Sequence, residues 1–359
     1  MRPLRVGVVG LGEVAQVVHL PILESLPELF EIAAVADISP ALRKLAGDRY
    51  GVGRRYAGAA EMAGQAPLDC VLVLNSDEYH TESVVAALDA GLHVLVEKPM
   101  CLSPREAADI IAARDRAGRV VMVGYMRRFA PAFEAAKQRI SSLGRVNYAR
   151  VHDIIGRNQL MIDQTAHVVR PGDVPRAGLE ERRARGAALV KQALGEVDPV
   201  LAGTYRLLCG LGSHDLSAMR ELLGRPRRVA AARQWRDGGY IAALLEYDDF
   251  VAVYETGVDD QVRFDAHIEV YGETTELRVQ YDTPYIRHFP TTLVVKETDG
   301  DGYRESVFRP HLKDPYTHEL EHFHAAITGA GPVKTTPEDY VEDMELFIDI
   351  IRAIERGSA

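Results

Sequence analysis

Cysteine is scarce in this sequence. Cys70, Cys101 and Cys209 are an odd set with no C-x-x-C spacing, which argues against a disulfide framework and for a reducing compartment. An excess of basic charge is also missing. Lys and Arg number 42 against 52 Asp and Glu, a net charge of −10, whereas a nucleic-acid binder normally draws a basic patch from a basic total. No apolar stretch approaches the roughly 20 residues that span a bilayer. The opening "MRPLRVGVVGLG" has neither the long apolar run nor the small-residue cleavage site of a signal peptide. The expectation is a cytoplasmic protein with no nucleic-acid or membrane partner. Internal repeats and low-complexity tracts are lacking too. What remains is ordinary for a folded chain: 47% hydrophobic and 26% charged residues, in a length that suits about two domains.

The two halves of the chain differ in pattern. Up to about Gly124, short apolar runs ("RVGVVG", "EIAAVAD", "DCVLVLN", "HVLVEKP", "RVVMVGY") alternate with amphipathic stretches such as "HTESVVAALDAG" and "SPREAADIIAARDRAG". Continuous apolar strands separated by helices imply a parallel sheet covered on both faces, a doubly wound α/β domain over residues 1–124. From Arg225 onward, seven strand-like runs follow one another with turn signals such as Asp237-Gly238-Gly239 between them. These predict an α+β domain over residues 125–359, with a large open, mainly antiparallel sheet covered by helices on one face. Residues 156–205 fit neither pattern and read as an insertion holding a polar helix, "LEERRARGAALVKQALG". A final amphipathic helix over 337–356 is expected to pack back on the first domain.

The chemistry starts at Gly10-x-Gly12-x-x-Ala15. The first glycine permits a tight turn and the second lets a pyrophosphate approach the backbone. The small third residue lets helix and strand pack closely, with the helix N-terminus facing the anion. Asp37 closes the second strand 22 residues past Ala15, where a carboxylate accepts hydrogen bonds from an adenosine ribose and repels a 2′-phosphate. This is the Rossmann pattern, and it favours NAD(H) over NADP. Glu97-Lys98-Pro99 ends a strand, on the side of a parallel sheet where ligands bind. Lys98 reads either as a group whose proton moves in an apolar cleft or as a surface lysine. His214 opens a helix after a glycine-containing loop and is open to a catalytic or a structural reading. His152 and Asp153 end a strand, where a substrate contact and a plain polar strand end are both open. His318-Glu319-Leu320-Glu321-His322 is a literal H-E-x-x-H, but Leu320, Phe323 and Ile327 make it a core-facing helix, and no metal is assigned.

Together these features resemble the glucose–fructose oxidoreductase and inositol dehydrogenase family (Gfo/Idh/MocA). The cues are Gly10-x-Gly12-x-x-Ala15, Asn75-Ser76 with His80, Glu97-Lys98-Pro99, "GYMRRF" at Gly124–Phe129, Gly212-x-His214 and "ELEHFHAAITG". The run "GYMRRFAPAF" looks most like the inositol dehydrogenase branch, where Asp stands in place of Ala130. The resemblance implies NAD-dependent hydride transfer to or from a secondary hydroxyl of a sugar, cyclitol or derivative. Lys98 and His214 would act at the hydroxyl. Gly10, Gly12, Glu13, Val14, Ala15, Asp37, Ile38, Asn75, Ser76, His80, Glu97, Lys98 and Arg127 would contact the cofactor, and Arg127, His152, Asp153 and Asn158 the substrate. A homodimer or homotetramer is expected, because a wide sheet face seeks cover. One departure stands out. Relatives often carry aspartates four residues before and three after the histidine, where this chain has Gly210 and Ser217. That leaves a non-catalytic NAD-dependent sensor as the alternative reading.

Overall fold

A computed structural model describes residues 2–358. The chain folds as two compact units. The first takes the chain up to Gly124 together with Ala166–Glu196 and Glu319–Met344; the second takes Tyr125–Thr165, Val197–His318 and the chain from Glu345 onward.

In the first unit, strands β1 (Leu4–Val9), β2 (Phe30–Ala36), β3 (Arg55–Tyr56), β4 (Cys70–Val73), β5 (His93–Glu97) and β6 (Val121–Gly124) form a parallel sheet in the order 3-2-1-4-5-6. Val71, Leu72 and Val73, like Val94, Leu95 and Val96, are consecutive and all buried. Neighbouring strand residues point to opposite faces, so both faces are covered, as the apolar runs require. The intervening helices are α1 (Leu20–Ser25), α2 (Pro40–Arg49), α3 (Ala59–Gln65), α4 (His80–Asp89) and α5 (Pro104–Ala117). A wide helical turn at Ala15–His19 leads into α1. Ser39 and Ser103 cap α2 and α5 by accepting the amides of Leu42 and Glu106.

The second unit holds α6 (Pro131–Ile140), β7 (Tyr148–Gly156), α7 (Asn158–Thr165) and, beyond α8 (Arg176–Leu194) of the first unit, α9 (Pro199–Leu207) and α10 (Ser213–Leu223). Strands β8 (Arg228–Trp235), β9 (Tyr240–Glu246), β10 (Val251–Asp259), β11 (Phe264–Tyr271), β12 (Thr275–Tyr281), β13 (Thr292–Asp299) and β14 (Gly302–Phe308) join β7 in the order 14-13-12-11-7-10-9-8. Every pairing is antiparallel except β7 with β10. Helices α11 (Pro315–Ile327) and α12 (Pro337–Ser358) follow.

Two expectations need correction. Residues 156–205 are not one insertion in the second domain but three helices, and Ala166–Glu196 belongs to the first unit. The Gln16 carboxamide and the Val169 backbone exchange two hydrogen bonds, of 3.0 and 2.9 Å, and the Ser103 hydroxyl donates to Gln192 at 2.6 Å. Such anchors join residues far apart in sequence, so no local pattern announces them. The second correction concerns α12, placed in the 125–359 domain with the expectation that it packs back on the first. Its start does join the first unit, with the Tyr340 hydroxyl donating to the Cys101 carbonyl at 2.5 Å and Arg114 paired with Glu338. From Glu345 the helix belongs to the second unit, where Arg225 pairs with Glu345 at 2.6 Å.

Candidate cofactor cavity and catalytic residues

A cavity of about 850 Å³ opens at the carboxyl ends of β1, β2 and β4. Its wall includes Gly10, Gly12, Asp37, Ile38, Asn75 and Ser76, joined by Val174, Pro175, Gly178, Leu179 and Arg182 from the 166–196 segment. Gly10 has φ +86°, and a Cβ there would stand 2.4 Å from the Asn75 amide nitrogen, so only glycine fits. At Gly12 nothing lies within 4 Å of where a Cβ would be. That open space lies at the turn where a Rossmann fold takes a pyrophosphate. The Asp37 carboxylate accepts the amides of Leu11 and Ser39, each at 2.7 Å, which fixes it at the end of β2. A dinucleotide fits this set: room at Gly12, a fixed acceptor at Asp37, and a wall on both sides.

The other expected cofactor residues lie outside that wall. Ala15 is buried where the helical turn packs, and Glu13 is ion-paired with Arg170 at 2.5 Å. His80 is a tie rather than a lining residue. Its Nδ1 meets the Pro99 carbonyl and its Nε2 the Asn75 carbonyl, both at 2.8 Å, and the ring is buried. It thereby joins the loop after β4 to the turn that carries Lys98. Glu97 is also internal. Its carboxylate meets His19 Nε2 at 2.8 Å and accepts the Lys98 amide at 3.1 Å. Burial alone would lift this carboxyl, but the His19 hydrogen bond and the charges of His19 and Lys98 outweigh it and hold it below its ordinary range. His19 was missed by the sequence reading. Only the pairing with Glu97, 78 residues away, reveals it.

In the second unit, Arg127, which the resemblance implied as a cofactor and substrate contact, is tied into an internal ion-pair cluster. Its guanidinium is buried, paired with Asp153 at 3.2 Å and with Asp215, and lies 5.1 and 5.5 Å from the ring centroids of Tyr281 and Phe264. Burial pushes the Asp215 carboxyl well above its usual range, with Asp153 adding to the effect and Arg127 opposing it. Two carboxylates therefore share one guanidinium. Asp153 is consumed by this pairing and is fully buried. His152 points to the opposite face of β7 because adjacent strand residues alternate. There it meets Glu255 at 3.1 Å and Asp265 at 3.5 Å, and stacks on His267 with centroids 4.9 Å apart. The two residues, both named as substrate contacts, therefore face opposite sides of the sheet. Asn158 opens α7 with its side-chain oxygen buried.

His214 stands in the first turn of α10, nearly buried. The wide turn Leu208–Gly212 precedes it, and a Cβ on Gly212 would reach 2.4 Å from the Tyr254 hydroxyl. Lys98 belongs to the first unit and His214 to the second. In the His318–His322 run Leu320 is buried in the core, as is Phe323 just after it. Among the described residues, no group of three or more His, Cys, Asp or Glu side chains is arranged to hold a metal, and no helix is long and apolar enough to cross a membrane.

Residues 4–125 match the family model of the Gfo/Idh/MocA proteins, described as an oxidoreductase family with an NAD-binding Rossmann fold. Inositol 2-dehydrogenase 2 of Saccharopolyspora erythraea is 27% identical over 331 residues, covering 89% of this chain and 83% of that protein. D-xylose 1-dehydrogenase (NADP(+)) 2 of Haloferax volcanii is 27% identical over 337 residues, covering 92% and 91%. The crystal structure of apo scyllo-inositol dehydrogenase from Lactobacillus casei superposes with a TM-score of 0.71 at 19% identity, covering 99% of this chain and 97% of that one; it shares the fold.

Proposed function

Because residues 4–125 match the NAD-binding Rossmann domain of the Gfo/Idh/MocA oxidoreductases, we propose that the chain is a member of that family and an NAD-dependent dehydrogenase acting on a secondary hydroxyl of a sugar or cyclitol. The observation that carries this reading is the cavity at the strand ends, open at Gly12 and bounded by the fixed Asp37 carboxylate. The dinucleotide would supply the hydride acceptor. Asp37 holds the adenosine ribose and disfavours a 2′-phosphate. Lys98 takes the substrate hydroxyl proton, and His214 is the second proton-sharing group. The turn bearing Lys98 is held on one side by Glu97, itself fixed by His19, and on the other by His80 against the Pro99 carbonyl. Such fixation suits a group that must meet the hydroxyl in one geometry.

Reduction of NAD⁺, followed at the NADH absorbance across inositols and aldoses, tests this reading. Lys98→Ala should lower turnover by roughly 10²–10⁴-fold while NAD binding persists. Unchanged turnover would remove Lys98 from the mechanism. Gly210 supports a second reading, since the position where relatives carry a carboxylate has none. NAD binding without hydride exchange on any polyol would favour a sensor. We also propose a homodimer or homotetramer through the β7 face that bears half-buried Tyr148, Arg150 and Ile154. A monomer by light scattering at micromolar concentration would discard it.

A further inference from the structure

We propose that the segment Ala166–Glu196 sets cofactor selectivity, and that Asp173 within it bars the 2′-phosphate of NADP. This rests on the dinucleotide reading of the cavity and adds a second selectivity residue to Asp37.

The segment is fastened to the first unit along its length. Besides the Gln16–Val169 exchange, Arg170 pairs with Glu13 at 2.5 Å, Arg185 with Glu82 at 2.8 Å, and the Ser103 hydroxyl donates to Gln192 at 2.6 Å. Val174 and Pro175, next in sequence to Asp173, form part of the cavity wall with Asp37 and Ile38. Held in this frame, the Asp173 carboxylate docks on the start of α2. It accepts the Ser39 hydroxyl at 2.7 Å and the Ala41 amide at 3.0 Å. Ser39 is fully buried, and its hydroxyl also accepts the Leu42 amide at 3.1 Å, so its one proton is committed to Asp173.

The chemistry of this spot follows from its donors. A 2′-phosphate on a ribose held by Asp37 would need hydrogen-bond donors and positive charge just beyond the end of β2. The donors available there are the Ser39 hydroxyl, the Ala41 amide and the guanidinium of Arg43. Asp173 already takes the first two. Arg43 donates to the carbonyls of Asp37 and Ile38, at 2.6 and 3.4 Å. Its charge, after the Ala41 amide and the Ser39 hydroxyl, also helps hold Asp173 ionised. A dianionic phosphate would thus meet two fixed carboxylates, Asp37 and Asp173, with the Ser39 hydroxyl and the Ala41 amide already taken and Arg43 Nη1 turned to backbone carbonyls. An unphosphorylated 2′-hydroxyl, by contrast, can donate to a carboxylate.

The test compares 5′-AMP with 2′,5′-ADP, each titrated calorimetrically into wild type, Asp173→Ala and Asp173→Asn. In wild type 5′-AMP should bind at least about tenfold more tightly than 2′,5′-ADP. Asp173→Ala should shift the ratio about tenfold toward 2′,5′-ADP, because it frees the hydroxyl, the amide and the Arg43 charge together. Asp173→Asn keeps an acceptor for the Ala41 amide and removes only the charge, so a partial shift is expected. A ratio unchanged in both variants, with 5′-AMP still bound, would overturn the role of Asp173 and leave the dinucleotide reading intact. Wild type that binds the two nucleotides equally would overturn it as well. If wild type binds neither, the dinucleotide reading fails and the proposal falls with it.

Discussion

Gly10 and Asn75 are in such close backbone approach that a Cβ on Gly10 would lie 2.4 Å from the Asn75 amide nitrogen. The loops after β1 and β4 therefore close on each other through an absent side chain, and the cavity floor depends on that closeness. Two residues on, Gly12 is the opposite case, with open space where its Cβ would stand.

The pair gives contrasting variants. Gly10→Ala adds a backbone clash to a left-handed φ and should destabilise the first unit by on the order of 3 kcal/mol. Gly12→Ala should leave the melting temperature of the cofactor-free protein unchanged and weaken NAD binding by about tenfold or more, an effect of roughly 1.4 kcal/mol. Thermal melts and calorimetry on both variants check this. Equal losses of stability would contradict the assignment of Gly12 to the cofactor.

Arg127 should behave as a core cation. Replacing it with Met strands Asp153 and Asp215 in the interior, at a cost of about 3–5 kcal/mol. Arg127→Lys keeps the charge but loses the planar contact with Tyr281 and Phe264, and should cost less. Urea unfolding measures both. A stable Arg127→Met protein whose only defect is in NAD or substrate affinity would return Arg127 to the binding machinery.

Stability should fall on mild acidification. The Val120 amide donates to His93 Nδ1 at 3.0 Å, which needs the ring nitrogen unprotonated. Burial, and then the charge of Arg119, lowers the His93 pKa. Burial and Arg278 do the same at His267. A folded pKa below the unfolded value near 6.5 means the contribution is complete above about pH 6.5 and is lost as pH falls through the folded value. His93→Asn, whose amide oxygen can accept the Val120 amide at any of these pH values, should flatten the fall. Parallel pH profiles for wild type and variant would remove His93 as a cause.

Gly212→Ala should destabilise the second unit by roughly 1–3 kcal/mol, because its Cβ would reach 2.4 Å from the hydroxyl of fully buried Tyr254. Adding Tyr254→Phe removes the atom in contact and should restore most of the loss. Denaturant midpoints of the two single variants and the double variant decide it, and simple additivity would show that the two residues do not clash.

Much of the first unit was legible because its cues are local. Each parallel strand is an unbroken apolar run, and the glycine turn, Asp37 and Glu97-Lys98-Pro99 sit at the ends of such runs. The antiparallel strands of the second unit were equally plain, since turn residues punctuate them. Less was legible where meaning depends on direction or distance. His152 and Asp153 are neighbours in sequence, yet strand alternation sends them to opposite faces. Arg127 looks like a site residue beside a glycine and a tyrosine, but two carboxylates 26 and 88 residues away claim it.

By itself the sequence determined the sheet types, the dinucleotide turn and the strand end that bears Lys98, because hydrophobic period and glycine geometry act within a few residues. The tertiary structure alone decided that the 166–196 segment walls the cavity, that Asp173 sits on α2 through Ser39, 134 residues away, and that His19 holds Glu97. Those outcomes rest on single polar pairings between distant residues. The energy of such a pairing exists only once the chain has brought donor and acceptor within about 3 Å, and no residue's neighbours in sequence record it.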